Sequence, residues 1–132
     1  MKLLLDTHIL LWWLRQDPLL PKSYLEVFEQ ADDQSPLWLS EISLWEISTL
    51  HSLGRVEFRL PLREWLEKAT APPLIRRVGI SPAIAAEVAA LPDSFHRDPA
   101  DRIIVATARV LGATLLTQDR AIRKAKIVPV LT

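Results

Sequence analysis

The chain has 132 residues, 16 basic and 16 acidic side chains and no cysteine, so its formal net charge is zero. That length suffices for one domain with a real core, and 49% hydrophobic residues exclude a disordered chain. The lack of cysteine excludes disulfides and thiolate metal sites and fits a cytoplasmic protein, while no apolar run approaches the ~20 residues of a membrane span and Asp6 interrupts the first one too early for a secretory leader.

Residues 2–5 read as a short buried strand, with residues 7–15 as the helix that follows it. Residues 21–32 form a second helical stretch, with Pro21 suited to its first turn. Pro36 breaks the chain, and Leu37-Trp38-Leu39 is the next strand. Ser40 suits a cap for a helix running to Leu53 and stopped by Gly54. Residues 62–70 form another helix, ended by Ala71-Pro72-Pro73, and residues 74–80 a strand. Ser81-Pro82 opens an alanine-rich helix to Leu91, a cap followed by proline at the first helical position. Asp98-Pro99 repeats that signal after a polar connection over 92–97, and its helix runs to Leu111 before Gly112. Residues 113–117 read as a strand, 120–124 as a short helix and 127–130 as a last strand. Strands alternating with helices predict an α/β fold with a mainly parallel central sheet. No linker or repeat divides the chain, so residues 1–132 are expected to form a single domain.

Four acids stand where core-forming residues surround them. Asp6 ends Leu3-Leu4-Leu5, Glu46 interrupts Leu44-Trp45-Glu46-Ile47, Asp101 opens Asp101-Arg102-Ile103-Ile104, and Asp119 closes Leu115-Leu116-Thr117-Gln118-Asp119. An acid in such company costs free energy unless it is paired or holds a cation. Glu46 shares a helix face with Ile42 and Leu50, though the edge of an apolar stripe or an arginine partner would also accommodate it. Asp6 and Asp119 follow strands, where open parallel sheets bind their ligands, and each equally suits a helix cap. Asp98 reads as an N-cap; Asp101, on the face of Ile104, Val105 and Ala108, points closer to the core than a cap partner needs. Gathered at one sheet edge, these carboxylates would repel strongly without a cation. All-oxygen ligation suits Mg²⁺ or Mn²⁺, and phosphodiester hydrolysis is the reaction that most needs this equipment.

The ordered set of motifs resembles PIN-domain ribonucleases of the VapC toxin type. It comprises Asp6-Thr7-His8 with Leu10-Leu11-Trp12, then Ser40-Glu41-Ile42-Ser43-Leu44-Trp45-Glu46-Ile47 ahead of Gly54-Arg55, then His96-Arg97-Asp98-Pro99-Ala100-Asp101-Arg102, and finally Thr117-Gln118-Asp119. The resemblance implies a three-layer α/β/α PIN-like domain and Mg²⁺- or Mn²⁺-dependent endoribonuclease activity. It also implies a toxin restrained by a cognate antitoxin, and a homodimer. By position it makes Asp6, Glu46, Asp101 and Asp119 the acidic quartet, with Asp6 and Asp101 holding the metal most directly. Thr117 is a candidate to position a water or phosphate, and Thr7 and Asp98 are second-tier candidates. One departure is Leu50, where related sequences often carry lysine.

Other features fit bland roles as readily. Residues 1–70 hold 7 basic and 11 acidic side chains, and residues 71–132 hold 9 and 5. Arg120, Arg123, Lys124 and Lys126 suit phosphate contact or simply a solvated helix end. His8 suits a structural role or a substrate contact, His51 a helix surface and His96 a loop. Trp38 and Trp45 sit in patterns that favour burial, and of Trp12 and Trp13 at least one is a candidate for an exposed dimer or antitoxin surface, as is the apolar segment 53–66. Three other functions compete. A haloacid-dehalogenase-type phosphatase would want an Asp where His8 stands. A PIN nuclease could process RNA outside toxin–antitoxin systems. A non-catalytic interaction module would use its acids only as caps.

Overall fold

A computed structural model describes residues 1–132. In chain order the elements are β1 (Leu3–Leu5), α1 (Thr7–Leu14), α2 (Lys22–Glu29), β2 (Leu37–Ser40), α3 (Ile42–Ser52) and α4 (Leu62–Ala69). They continue with β3 (Ile75–Val78), α5 (Pro82–Ala90), α6 (Pro99–Leu111), β4 (Thr114–Leu116) and α7 (Arg120–Ala125). The four strands form one sheet in the order β3-β2-β1-β4. All neighbours are parallel, with Leu3 opposite Leu37 on one side and Thr114 on the other, and Leu37 opposite Ile75.

A parallel sheet is covered on both faces, and this explains why β1 is leucine throughout. Alternation sends its side chains to two separate cores. Leu5, Leu37, Leu39 and Leu116 pack with Ile9 and Leu10 of α1, Tyr24 and Phe28 of α2, and Ile47 of α3. Leu4 and Leu115 pack on the opposite face with Ile104, Val105 and Ala108 of α6 and Ile122 of α7. Helices on both faces of one sheet make the expected three-layer α/β/α arrangement. Tyr24, buried between α2 and the chain's end, places its hydroxyl 2.8 Å from the Leu131 carbonyl and 3.2 Å from that of Thr117.

The order of strands decides where a site can form. From β1 the chain builds β2 and then β3 on one side, and returns through α5 and α6 to place β4 on the other. The connections leaving β1 and β4 therefore part company at the strands' carboxyl ends, and such a switch point opens a crevice. Asp6 sits at its lip, its N–H donating to the Leu116 carbonyl at 3.0 Å.

Several sequence expectations need correction. The strand expected over 127–130 is reduced to a single parallel bridge between Leu115 and Val130. Pro129 has no N–H to extend a ladder, and Lys126 turns the chain in a left-handed conformation just before it. Ser40 ends β2 instead of capping α3 directly: Glu41 occupies the N-cap position, and the Ser40 hydroxyl accepts from the Ile42 N–H at 3.3 Å. Trp45, expected in the core, is 58% exposed. It follows Leu44 on a short helix whose buried line is Ser43 and Ile47. Trp38 is half-buried, with the Lys2 ammonium 5.2 Å and the Arg76 guanidinium 4.9 Å from its ring. The glycine stop is as expected at α6, where Gly112 adopts φ of 64°, a conformation that costs glycine little.

Candidate active site

Asp6 is the best-buried acid of the chain and the best anchored. The Thr7 N–H donates to its Oδ1 at 2.8 Å, and the Thr117 hydroxyl donates to its Oδ2 at 2.7 Å. Burial pushes the carboxyl's pKa up. The His8 ring, the Thr117 hydroxyl and the Thr7 N–H pull it down, and the charge of Asp119 pushes up again. Thr117 closes the link to the next acid, since its Oγ1 also accepts the Asp119 N–H at 3.0 Å. Thr7 makes the corresponding link on the other side. Its hydroxyl lies 2.8 Å from that of Ser43 and donates to Glu46 Oε1. The two threonines thus tie the ends of β1, β4 and α3 together around one buried carboxylate.

The remaining acids come from helices. Asp98 caps α6 by accepting the Asp101 N–H at 3.0 Å, and Asp119 caps α7 by accepting the Ile122 N–H at 3.0 Å. Glu46 and Asp101 cap nothing. Glu46 is half-buried, and burial raises its pKa, with the Thr7 hydroxyl opposing and the charges of Asp6 and Asp98 reinforcing. The Asp101 carboxyl is pushed up to about 8, by burial first and then by Asp6, Asp98, Asp119 and Glu46. Its place in the first turn of α6 should favour its charge. Burial and the four neighbouring carboxylates together outweigh that helix end.

The acids fall into two overlapping groups. Ligand atoms of Glu46, Asp98 and Asp101 all lie within 4.8 Å of one another, and so do those of His96, Asp101 and Asp119. Asp101 belongs to both, whereas Asp6, with both oxygens hydrogen-bonded, belongs to neither. Mutual repulsion of this kind is what a divalent cation relieves, and the carboxylate oxygens that dominate both groups suit a hard ion such as Mg²⁺ or Mn²⁺. The residues present therefore fit such an ion, with Asp101 as the shared donor.

Two contributors were missed by sequence reasoning. His96 lies in the connection before α6, and no regular spacing ties it to an acid; yet its Nε2 lies 3.1 Å from Asp101 Oδ2. Arg102, which the sequence offers only as the residue after Asp101 in a helical run, is the second. Its buried guanidinium donates to the carbonyls of Phe95 at 3.1 Å, His96 at 3.3 Å and Val88 at 3.4 Å, pinning that connection to α6. A charged residue followed by Ile103-Ile104-Val105 was the only available signal. The His8 Nε2 accepts the Gln118 N–H at 3.0 Å, and its Nδ1 lies 3.6 Å from Asp6 Oδ2. Arg123, in the basic tail, donates to the Thr117 carbonyl at 3.0 Å and so braces the same turn. A groove beside Glu46 and Asp98 is lined by Trp45, Leu50, Leu53 and Arg55.

The PIN domain family matches this chain over residues 3–128. Ribonuclease VapC22 of Mycobacterium tuberculosis is 38% identical to it over 120 residues, covering 91% of this chain and 88% of that protein. Among solved structures, VapBC2 from Rickettsia felis, bound to a DNA fragment from their promoter, superposes with a TM-score of 0.74 at 16% identity, over 99% of this chain and 98% of that one. FitAcB from Neisseria gonorrhoeae does so with a TM-score of 0.71 at 22% identity, over 99% and 97%. At those identities the structures speak for the fold alone. The family match runs from β1 to beyond α7, and the curated relative is alignable along nearly all of the chain; the protein belongs to the PIN-domain family and is of the VapC type.

Proposed function

We propose that this protein is a metal-dependent endoribonuclease that hydrolyses RNA phosphodiester bonds as one nuclease domain, and that it is the toxin of a VapBC-type pair. The observation that carries the reading is Asp101, whose carboxylate lies within 4.8 Å of those of Glu46 and Asp98 in one group and of His96 and Asp119 in another, and whose pKa burial and the surrounding acids push up to about 8. Family membership and the 38% identity to a ribonuclease support it independently.

In this reading Asp101 holds Mg²⁺ or Mn²⁺, with Asp6, Glu46 and Asp119 as the other acids of the site and Asp98, which caps α6, as a second-tier candidate. The cation supplies stabilisation of charge on the scissile phosphate and activation of water as the nucleophile. Asp6 is buried at the end of β1, at the edge of the crevice. Thr117 holds it there and orients the Asp119 backbone, and Thr7 keeps Glu46 turned toward the cluster. The cognate antitoxin is the expected protein partner, with segment 53–66, including the 61%-exposed Leu53, as its contact. A homodimer is the expected assembly. We place the protein in the cytoplasm, where its RNA substrates are made; no helix is long and apolar enough to cross a membrane.

The competing reading, an interaction module whose acids only cap helices, has an observation on its side. Asp6, Asp98 and Asp119 each accept an N–H at a helix start. It leaves Glu46 and Asp101, which cap nothing, without a reason to bear the cost of one another's charge. Cleavage of a mixed RNA pool with Mg²⁺, with Mn²⁺ and with chelator, beside Asp6→Asn, tests the choice. Cleavage that needs both metal and Asp6 is expected; wild-type cleavage by the variant sinks the site assignment.

A further inference from the structure

His96 stands apart from the family's acid pattern, and its position is too well held to be incidental. The Arg102 guanidinium grips the carbonyls of Phe95 and His96, and the Phe95 N–H donates to the Pro92 carbonyl at 3.0 Å. Phe95 itself is buried, 4% exposed, and packs edge-on against the His96 ring at 4.7 Å. This scaffold points the ring's Nε2 at Asp101. The side chain is 35% exposed, yet Nε2 itself is shielded from solvent and makes no hydrogen bond, although the Asp101 carboxylate lies 3.1 Å away. An orphaned nitrogen in such a place ordinarily costs free energy.

Coordination explains both the distance and the missing hydrogen bond. Two ligands at right angles around an octahedral ion, each about 2.1 Å from it, stand about 3 Å apart. The observed 3.1 Å between Nε2 and Oδ2 matches that separation, and Asp119 completes a group whose donor atoms all lie within 4.8 Å of one another. Imidazole is a poor donor for Mg²⁺, which prefers oxygen and keeps its waters, and a better one for first-row transition cations. We propose that His96 supplies a nitrogen ligand to the divalent cation held by Asp101 and Asp119, and that this nitrogen makes the site favour Mn²⁺ over Mg²⁺.

The inference rests on the cation of the nuclease reading and not on RNA cleavage, so cation binding tests it directly. Chelator-stripped wild-type protein is loaded with Mn²⁺ alone and examined by pulsed electron paramagnetic resonance. A nitrogen hyperfine coupling is expected, and it requires no variant. Titration calorimetry then compares Mn²⁺ and Mg²⁺ on wild type and on His96→Gln, with circular dichroism to verify the fold. Mn²⁺ affinity should fall about tenfold or more while Mg²⁺ affinity changes less than about twofold. A histidine that merely shares a proton with Asp101 would leave no nitrogen signature, and its loss would move both cations together; either result overturns the proposal. Asp101→Asn separates the two levels of the argument. Binding that requires Asp101 but ignores His96 removes this inference alone, whereas wild type that binds neither cation removes it together with the metal-dependent reading.

Discussion

Replacing Asp101 with Asn measures what the acid cluster costs the metal-free fold. The Asp101 carboxyl is held at about 8 against 3.8 for an unperturbed aspartate, through burial and then the charges of Asp6, Asp98, Asp119 and Glu46. Its folded pKa lies above its unfolded one, so the protonated form favours the native state. That stabilisation is complete below about pH 4 and is lost progressively as the pH rises to about 8. Each pH unit of the gap corresponds to about 1.4 kcal/mol, which sets a ceiling of about 5–6 kcal/mol. Relaxation among five linked groups and partial solvation leave about 2–3 kcal/mol of that. Asparagine has the same shape and no charge; it forfeits only the ~0.3–1 kcal/mol that an acid gains at a helix start. In chelator at pH 8 the Asp101→Asn protein should therefore melt on the order of 10 °C above wild type. The gap should close as the pH approaches about 4, and added Mg²⁺ or Mn²⁺ should stabilise wild type far more than the variant. Thermal melts by circular dichroism from pH 4.5 to 8.5 provide the assay. Equal midpoints at pH 8, or a difference that ignores pH, would refute the claim that these carboxylates strain one another.

Other residues separate holding the fold from holding the site. Asp98→Asn should leave chemical-denaturation stability within about 0.5 kcal/mol, because asparagine caps as well as aspartate, and Asp98→Ala should cost about 1 kcal/mol. Complete loss of RNA cleavage in Asp98→Asn with stability intact would make Asp98 a ligand as well as a cap. Thr117→Val keeps the buried shape but removes the hydroxyl bonded to Asp6 and to the Asp119 N–H. A loss of about 2–3 kcal/mol in urea is expected, and a loss below about 0.5 kcal/mol would show that the hydroxyl does not brace the site. Arg102→Met leaves three carbonyls without their donor. About 3 kcal/mol of destabilisation should accompany faster amide exchange in residues 92–97, and unchanged exchange there would deny Arg102 its role in holding His96.

The sequence made the frame of this molecule legible because its signals are local. Leu3-Leu4-Leu5 is too short and too apolar for anything but a buried strand, and Asp98-Pro99 with Gly112 brackets α6 as caps and stops do. Asp6 and Asp119 were legible as strand-end acids, and the sheet order β3-β2-β1-β4 brings them to one crevice. What stayed hidden depends on distant contacts. Nothing near Thr7 in sequence says that its hydroxyl will meet Ser43 and Glu46. His96 reaches Asp101 through an irregular connection whose path is set by Arg102, and no periodicity encodes such a path. Trp45 misled because a large aromatic beside Leu44 and Ile47 looks like core; on α3 the buried line passes through Ser43 and Ile47 instead, and the ring faces outward.

That outward tryptophan and the inward acids follow from one constraint. A helix of eleven residues cannot bury its whole circumference, and α3 gives its inner face to Ser43, which meets Thr7, and to Ile47, which fills the core beneath β1 and β2. Glu46 lies beside that face, and its carboxylate accepts from Thr7 and stands within 4.8 Å of Asp98 and Asp101. Packing alone would select a leucine at position 46, as at Leu50 one turn on, and would gain about 1.5–3 kcal/mol from its burial. An acid there, raised in pKa by burial and by two further carboxylates, works against stability at neutral pH. Caps account for Asp6, Asp98 and Asp119 without invoking function. They do not account for Glu46 and Asp101; in the proposed reading a cation between them recovers that free-energy cost.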